Sequence, residues 1–458
     1  MAAFNYLQKL ADRRRFGIKP GLDKVRALLA LLGNPERETA AIHIAGTNGK
    51  GSVAAICESV LRCAGYNVGR YTSPHLICIN ERFMINGRLV GDEALESAAR
   101  AVESAANEVE KDLGSAITFF EALTAAAFLL FRESGIKLTV LETGLGGCWD
   151  ATNVVVPMVS VITRIALDHC AWLGDTLGAV AAEKAGIIKP GRPVVCAAMP
   201  DEAHAVITSV AAEKRAPILD VAEAVTVKVC KAGLDGQTVR ISTQARSLPP
   251  IRLPLAGAFQ IENVGAATAA LESVVDCGLE ISDEAYVKGL SGVCWPGRFQ
   301  LVADAPPVVV DGAHNPDGAR ALRLALKGCG IKCGVGLVAG FCGDKEILSH
   351  LRELAPMVKR AWAVTVPSAR SVTAEKTAGM MRMAGIGRVT ACENLAQGLG
   401  EAREWAGGCG GVILVCGSLF LAGETLRAFG AYPWDLARLD ENESFSGTGN
   451  EAAEVRKG

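Results

Sequence analysis

Apolar positions along the chain follow two periods, and the alternation between them outlines the fold. Leu22, Val25, Leu28, Leu29 and Leu32 are spaced as one face of a helix from Pro20 to Leu32, closed by Gly33-Asn34-Pro35. An uninterrupted apolar run, Ala41 to Ala45, then reads as a buried strand that passes through a glycine-rich turn into a helix at Ser52 to Ala64. A strand at Asn67 to Tyr71 ends in Thr72-Ser73-Pro74-His75, and a longer helix follows from Asp92 to Lys111. Thr118-Phe119-Phe120-Glu121 opens another helix. Leu138 to Leu141 is a strand ending in Glu142-Thr143-Gly144-Leu145-Gly146-Gly147, and Met158 to Ile165 is the next, ending near Asp168-His169. Strands alternating with helices predict a parallel, doubly wound α/β sheet.

Residues 225 to 256 break this rhythm. Val225 to Val229 and Thr238 to Ser242 alternate apolar with polar positions around Gly233 and Gly236, which predicts a small antiparallel patch. A helix from Gln260 to Asp276 carries Asn263 near its start, and Trp295-Pro296-Gly297-Arg298 precedes a second βα series. Its strands are expected at Val308 to Val310, Val335 to Ala339, Ala363 to Val366 and Val412 to Val415. The sequence therefore predicts one domain over 1–299 and a second over 300–437. A flexible tail is expected over 438–458, where Glu, Ser, Gly and Asn dominate.

Composition narrows the possible partners. A chain of 458 residues, half of them hydrophobic, exceeds one ordinary core and has material for two. Its formal net charge of −2 offers no footprint for nucleic acid or an anionic membrane, so small molecules are the expected partners. The 15 cysteines include no C-x-x-C pair and read as reduced thiols of a cytoplasmic protein. The longest apolar run, Ala122 to Phe131, is too short to span a bilayer, and Met1 to Asn5 shows no leader. Arg13-Arg14-Arg15 reads as a solvated helix face rather than a targeting signal.

The chemistry concentrates at strand ends. In Gly46-Thr47-Asn48-Gly49-Lys50-Gly51-Ser52, three glycines let backbone N–H groups converge on an anion, the helix start adds its dipole, and Lys50 adds a charge. This is a phosphate loop that departs from G-x-x-x-x-G-K-[ST]: Ile44 replaces the first glycine and Gly51 the hydroxyl after lysine, leaving Ser52 to supply it. Ser73, Glu142 and His169 follow other strands of the first domain, and Asp311 with His314 follows the first strand of the second series, so two strand-end faces are expected to close on one cleft. Ser73 and Glu142 have the oxygen chemistry magnesium prefers, and His169 is a less usual ligand. Leu177, Val180, Ala181 and Lys184 share one helix face, which places an ammonium on an apolar stripe. Burial there favours the neutral amine, the form that adds CO₂ to become a carbamate.

Several of these motifs occur together in one family. His43 to Ser52, Thr72-Ser73-Pro74-His75-Leu76, Leu141 to Gly147 with Asp150-Ala151-Thr152-Asn153, Leu167-Asp168-His169, Glu183 to Ile188, Pro296 to Phe299 and Asp311 to Pro316 resemble the folylpolyglutamate synthase/dihydrofolate synthase family of the Mur ligase superfamily. The likeness runs from Phe16-Gly17-Ile18-Lys19-Pro20-Gly21-Leu22 to about Gly430.

The resemblance implies an N-terminal P-loop ATPase-like domain and a C-terminal Rossmann-like α/β domain. It also implies an ATP-dependent ligase, expected to be a monomer, that joins a dihydropteroate or reduced-folate carboxylate to L-glutamate through an acyl phosphate. It assigns Thr47, Asn48, Gly49, Lys50, Gly51, Ser52, Asn263, Arg298 and Asp311 to ATP, and Ser73, Glu142 and His169 to two Mg²⁺ ions. Lys184 would carry the carbamate and His314 would lie near the reacting phosphate. Thr118, Phe119, Glu121 and Asp150 would line the pterin side. Cys148 and Trp149 stand where relatives often carry Arg and Leu, a departure within that pocket. Two other readings fit the phosphate loop alone: a peptidoglycan-precursor ligase, which usually has a further domain ahead of the loop, and a nucleotide-dependent switch, which has no need of a second domain presenting Asp311 and His314.

Overall fold

The structure, a computed structural model, describes residues 5–13, 21–331, 334–343 and 346–434. Arg14 and Arg15, the Phe16 to Pro20 part of the family motif and the expected tail lie outside the described residues.

The N-terminal sheet contains β1 (Ala40–Ala45), β2 (Val68–Tyr71), β3 (Phe83–Ile85), β4 (Arg88–Leu89), β5 (Leu138–Glu142), β6 (Val159–Ile162), β7 (Val194–Cys196) and β8 (Ile218–Asp220), in the order β4-β3-β2-β5-β1-β6-β7-β8. It is parallel from β2 to β8, and β3 and β4 turn back antiparallel at one edge. Of these strands the sequence predicts β1, β2, β5 and β6. The three-residue strands β7 and β8 and the β3–β4 hairpin are too short to show a period, and their pairing comes from the sheet already in place.

Burial explains the order. β1 and β5 are lined almost wholly by buried residues, as expected of strands covered on both faces. The helices Lys50–Cys63 and Phe259–Asp276 cover one face, packing Val53, Ile56, Val60, Val264 and Leu271 into one core. Asp92–Leu113 and Phe119–Glu133 close a second core with Val102, Leu123 and Phe128. The antiparallel patch has three strands rather than two: β9 (Val225–Gly233), β10 (Gly236–Thr243) and β11 (Ile251–Leu253).

The second sheet contains β12 (Gln300–Asp304), β13 (Pro307–Val310), β14 (Val335–Ala339), β15 (Val358–Ala363), β16 (Val389–Ala391) and β17 (Val412–Cys416), ordered β12-β13-β17-β14-β15-β16. Only β12 is antiparallel. The strand expected at Ala363 to Val366 instead ends at Ala363. Trp362 and its neighbours pair with β14 and β16, and Val364 to Val366 form the loop beyond the strand end. The strand expected from Met158 to Ile165 likewise stops at Ile162, and the segment beyond it brings Arg164, Asp168 and His169 to the cleft.

The two sheets are joined by more than the 292–299 linker. The loop after β2 reaches into the second domain, where buried Cys78 packs with Leu421, Ala422 and Tyr432. Buried Glu81 accepts hydrogen bonds from the backbone N–H of Leu76, Ile77 and Cys78 at 2.6–2.9 Å and from the Tyr432 hydroxyl at 2.7 Å.

Candidate active site

β1 lies between β5 and β6, so its carboxyl end sits mid-sheet, with the ends of β2 and β5 on one side and β6 on the other. The phosphate loop leaves from there. Gly49, at φ 96°, starts the helix Lys50–Cys63, a conformation that glycine adopts without strain. A side chain at Gly46, φ 150°, would overlap the Thr163 hydroxyl, and one at Gly49 would overlap the Asn263 amide. A side chain at Gly51 would run into the Trp295 indole. The departure from the generic motif at position 51 therefore has a steric cause: the inter-domain linker packs where Ser or Thr would point.

The segment after β6 pins the loop. The Arg164 carbonyl accepts from the N–H of Thr47 at 2.9 Å and of Asn48 at 3.3 Å, and the Thr163 hydroxyl donates to the Asn48 carbonyl at 2.8 Å. The Thr47 hydroxyl donates to the Ala166 carbonyl at 2.8 Å. Buried Ser52 lies on the cleft wall.

Three charged groups meet beneath the loop. Lys50 Nζ donates to the carbonyls of Gly46 (3.0 Å) and Thr47 (3.3 Å) and lies 4.0 Å from Glu142 Oε1. Glu142 is buried and its other oxygen accepts from the Ser73 N–H at 3.1 Å. Burial raises the Glu142 pKa, and Lys50 works against that rise. Lys184, on the helix Leu177–Ala185, is buried as its helical spacing predicts and donates to the Gly46 carbonyl at 2.8 Å. Its pKa falls to about 7, chiefly through burial and next through Lys50. A buried amine with this pKa is substantially neutral at neutral pH.

The second domain supplies the facing wall. Buried Asp311 accepts from the N–H groups of Phe299 (2.7 Å) and Ala313 (2.6 Å); burial raises its pKa and Arg298 opposes the rise. The Arg298 guanidinium lies over the Trp295 ring, 5.8 Å from its centroid. His314 shares a hydrogen bond with the Gly312 carbonyl through Nδ1 at 2.8 Å, and its Nε2 lies 3.9 Å from Asp168 Oδ2. His169, at φ 54°, opens a short helix with its Nε2 3.8 Å from the other Asp168 oxygen. Asn263 donates to Gln260 at 2.8 Å beside the loop.

Thus Gly46 to Ser52, Ser73, Glu142, His169, Lys184, Asn263, Arg298, Asp311 and His314 all line one cleft between the domains. The pterin-side set does not join that lining. Thr118 and Glu121 form a reciprocal cap on the helix Phe119–Glu133, and Glu121 also accepts from Lys24 at 3.0 Å. Asp150 accepts from the N–H of Gly144 and Leu145 with one oxygen, and from Thr152 with the other. Its carboxylate thereby shapes the loop that follows Glu142. The Thr152 hydroxyl in turn meets buried His43 at 2.8 Å, and burial lowers the His43 pKa to about 3. Phe119 is partly exposed, with Arg82 over its ring.

Sequence reasoning misses Arg164, Asp317 and Glu262, which also line the cleft, and it gives Asp168 and Asn315 only as parts of motifs. Each is an ordinary charged or amide residue whose partner lies far along the chain. The Asn48 side chain, expected toward phosphate, instead donates to Asp317 at 2.9 Å and accepts from Asn315 at 3.3 Å.

Residues 44–271 match the Mur ligase middle domain, and residues 297–419 match the Mur ligase glutamate ligase domain. The chain is 38% identical over 344 residues to the dihydrofolate synthase/folylpolyglutamate synthase of Bacillus subtilis, covering 75% of this chain and 80% of that protein. The chain belongs to the dihydrofolate synthase/folylpolyglutamate synthase family. Members of this family are ATP-dependent ligases, and so is this chain. The fold agrees: a Mycobacterium tuberculosis folylpolyglutamate synthase complexed with ADP and AMPPCP superposes with a TM-score of 0.88 at 30% identity, covering 94% of this chain and 99% of that one. A structure of Escherichia coli FolC in complex with DHPP and ADP superposes with a TM-score of 0.82 at 32% identity, covering 93% and 97%.

Proposed function

We propose that this ligase adds L-glutamate to both dihydropteroate and reduced folates, each through an acyl phosphate. The observation that carries the reading is the convergence of the phosphate loop, Lys50 and buried Glu142 on one domain with Arg298, Asp311 and His314 on the other. A carboxylate is inert to amines until phosphorylated, and that step calls for charge neutralisation rather than a protein nucleophile. ATP fits the cradle: the glycine-rich loop from Gly46 to Ser52 lines the cleft at the start of the helix Lys50–Cys63, with Lys50 beside it. Lys50 would hold the transferred phosphoryl group while Arg298 and Asp311 set the nucleotide from the second domain. His314, held by Gly312, would orient a group beside the reacting phosphate.

Magnesium fits the donors present. Among the described residues no three His, Cys, Asp or Glu side chains gather into a complete cage. Mg²⁺ needs none, since it binds through one or two protein oxygens with phosphates and waters completing the shell. Ser73 and Glu142 would hold one ion and His169 would contribute to the second; the ions would neutralise phosphate charge. Lys184, neutral in good part and beside Lys50, suits a carbamate whose carboxylate would help to place the second ion. On the substrate side, Thr118, Phe119, Glu121 and Asp150 would bound the pterin pocket, Glu121 and Asp150 by shaping its walls. The net charge of −2 and a sequence without a C-x-x-C pair support an enzyme of small molecules, which we place in the cytoplasm as a monomer.

The test is product mass after incubation with ATP, L-glutamate and either dihydropteroate or tetrahydrofolate. Both should gain a glutamyl residue. Extension of tetrahydrofolate alone would reduce the function to folylpolyglutamate synthesis, and extension of neither would refute the reading.

A further inference from the structure

One residue touches both the phosphate loop and the second domain. The Arg164 carbonyl accepts from the Thr47 and Asn48 N–H groups, while its side chain crosses the cleft, with Nε 3.1 Å from each carboxylate oxygen of Asp317. Asp317 stands in the first turn of the second-domain helix Pro316–Gly328 and also accepts from Asn48 Nδ2 at 2.9 Å. Asn315, which caps the same helix through Gly318, donates to Asn48 at 3.3 Å and to Asp168 at 3.0 Å. Glu262 lies 3.9 Å from the far side of Arg164 and steadies the guanidinium on its own domain. Six side chains thus form one polar set across the cleft, and the charges within it are Arg164 against Asp317, Glu262 and Asp168.

We propose that Arg164 and Asp317 are positioning residues that clasp the domains shut, so that the acyl phosphate meets the amine of glutamate rather than water. The inference rests on the proposed ligase reading. In the productive route a carboxylate oxygen attacks the γ-phosphorus and ADP leaves. The glutamate nitrogen then attacks the acyl carbon, phosphate leaves with the C–O bond electrons, and the nitrogen loses a proton. In the wasteful route water attacks instead, returning the free carboxylate and phosphate, so one ATP is spent without an amide. Closure excludes that water. The clasp is suited to the task because it joins the helix behind His314 to the backbone of the loop that holds the phosphates. Opening at Asp317 would release both Arg164 and Asn48.

The test measures ADP and amide in the same reaction for the full-length wild type, Asp317→Asn, Arg164→Gln and the double variant. The wild type should release close to one ADP per amide. Each variant should raise that ratio severalfold, the double variant no further than either single one. Variants that turn over more slowly at the wild-type ratio would overturn the proposal, because a merely structural lesion lowers rate without diverting the intermediate. Small-angle scattering with ADP, which needs no substrate acid, reads the clasp independently. The variants should be measurably more extended than the wild type, and identical profiles would overturn the clasp even if the wild type proved to form no amide, a result that by itself refutes only the ligase reading.

Discussion

Lys50 and Lys184 sit beneath the same loop and both donate to the Gly46 carbonyl, yet burial gives them different chemistry. Lys50 is the phosphate partner: Lys50→Ala should lower turnover at least about a hundredfold, the loss typical of removing one preorganised donor. Circular dichroism and thermal melting should show the fold retained. Lys184 offers a pH signature. Its folded pKa of about 7 lies below the ordinary lysine value of 10.5, so between these limits the unfolded chain binds more protons than the folded one. Stability from this group therefore rises with pH across that window, and the burial cost is full below pH 7. In CO₂-free buffer, Lys184→Met should be stabilised relative to wild type at pH 7, and that advantage should shrink toward pH 9 in denaturant melts. A pH-independent difference would place the amine in solvent. Position on an apolar helix face made the burial of Lys184 legible from sequence; the neighbouring Lys50, which adds to the shift, lies 134 residues earlier in the chain and is brought near only by folding.

In the loop and its helix the backbone turn is set locally, while the space beside each glycine is filled by a residue distant in sequence. Glycines at 46 and 49 follow from the turn, and the strand-loop-helix order was legible from its apolar run. Gly51 was legible only as a departure, because its cause is Trp295 on the linker, packed against the helix from 244 residues away. Restoring the generic hydroxyl by Gly51→Ser should therefore destabilise the protein by about 1–3 kcal/mol, the usual cost of overpacking. It should also weaken nucleotide binding, and Trp295→Leu in the same chain should recover part of the loss. Chemical denaturation and nucleotide titration check both. Among the strands that escaped sequence reading, β7, β8 and β16 are three residues each. So short a run has no period of its own, and its register is set by the neighbour to which it bonds.

At the scale of the whole molecule, the two sheets were legible as two βα series, but the contacts that make them one enzyme were not. Glu81 and Tyr432 lie 351 residues apart and meet at 2.7 Å; Arg164 and Asp317 lie 153 apart. Tyr432→Phe removes the hydroxyl from a buried carboxylate otherwise held by its own loop, which should cost about 1–3 kcal/mol. Differential scanning calorimetry should show a lower, broader transition as the domains uncouple. The central claim is that these domains meet around a carboxylate that ATP converts to an acyl phosphate. The most direct measurement follows heavy oxygen from a labelled dihydropteroate carboxylate through one turnover with ATP and L-glutamate. The account predicts one labelled oxygen in the inorganic phosphate released with each amide. Label recovered in water or in AMP, with none in inorganic phosphate, would contradict it.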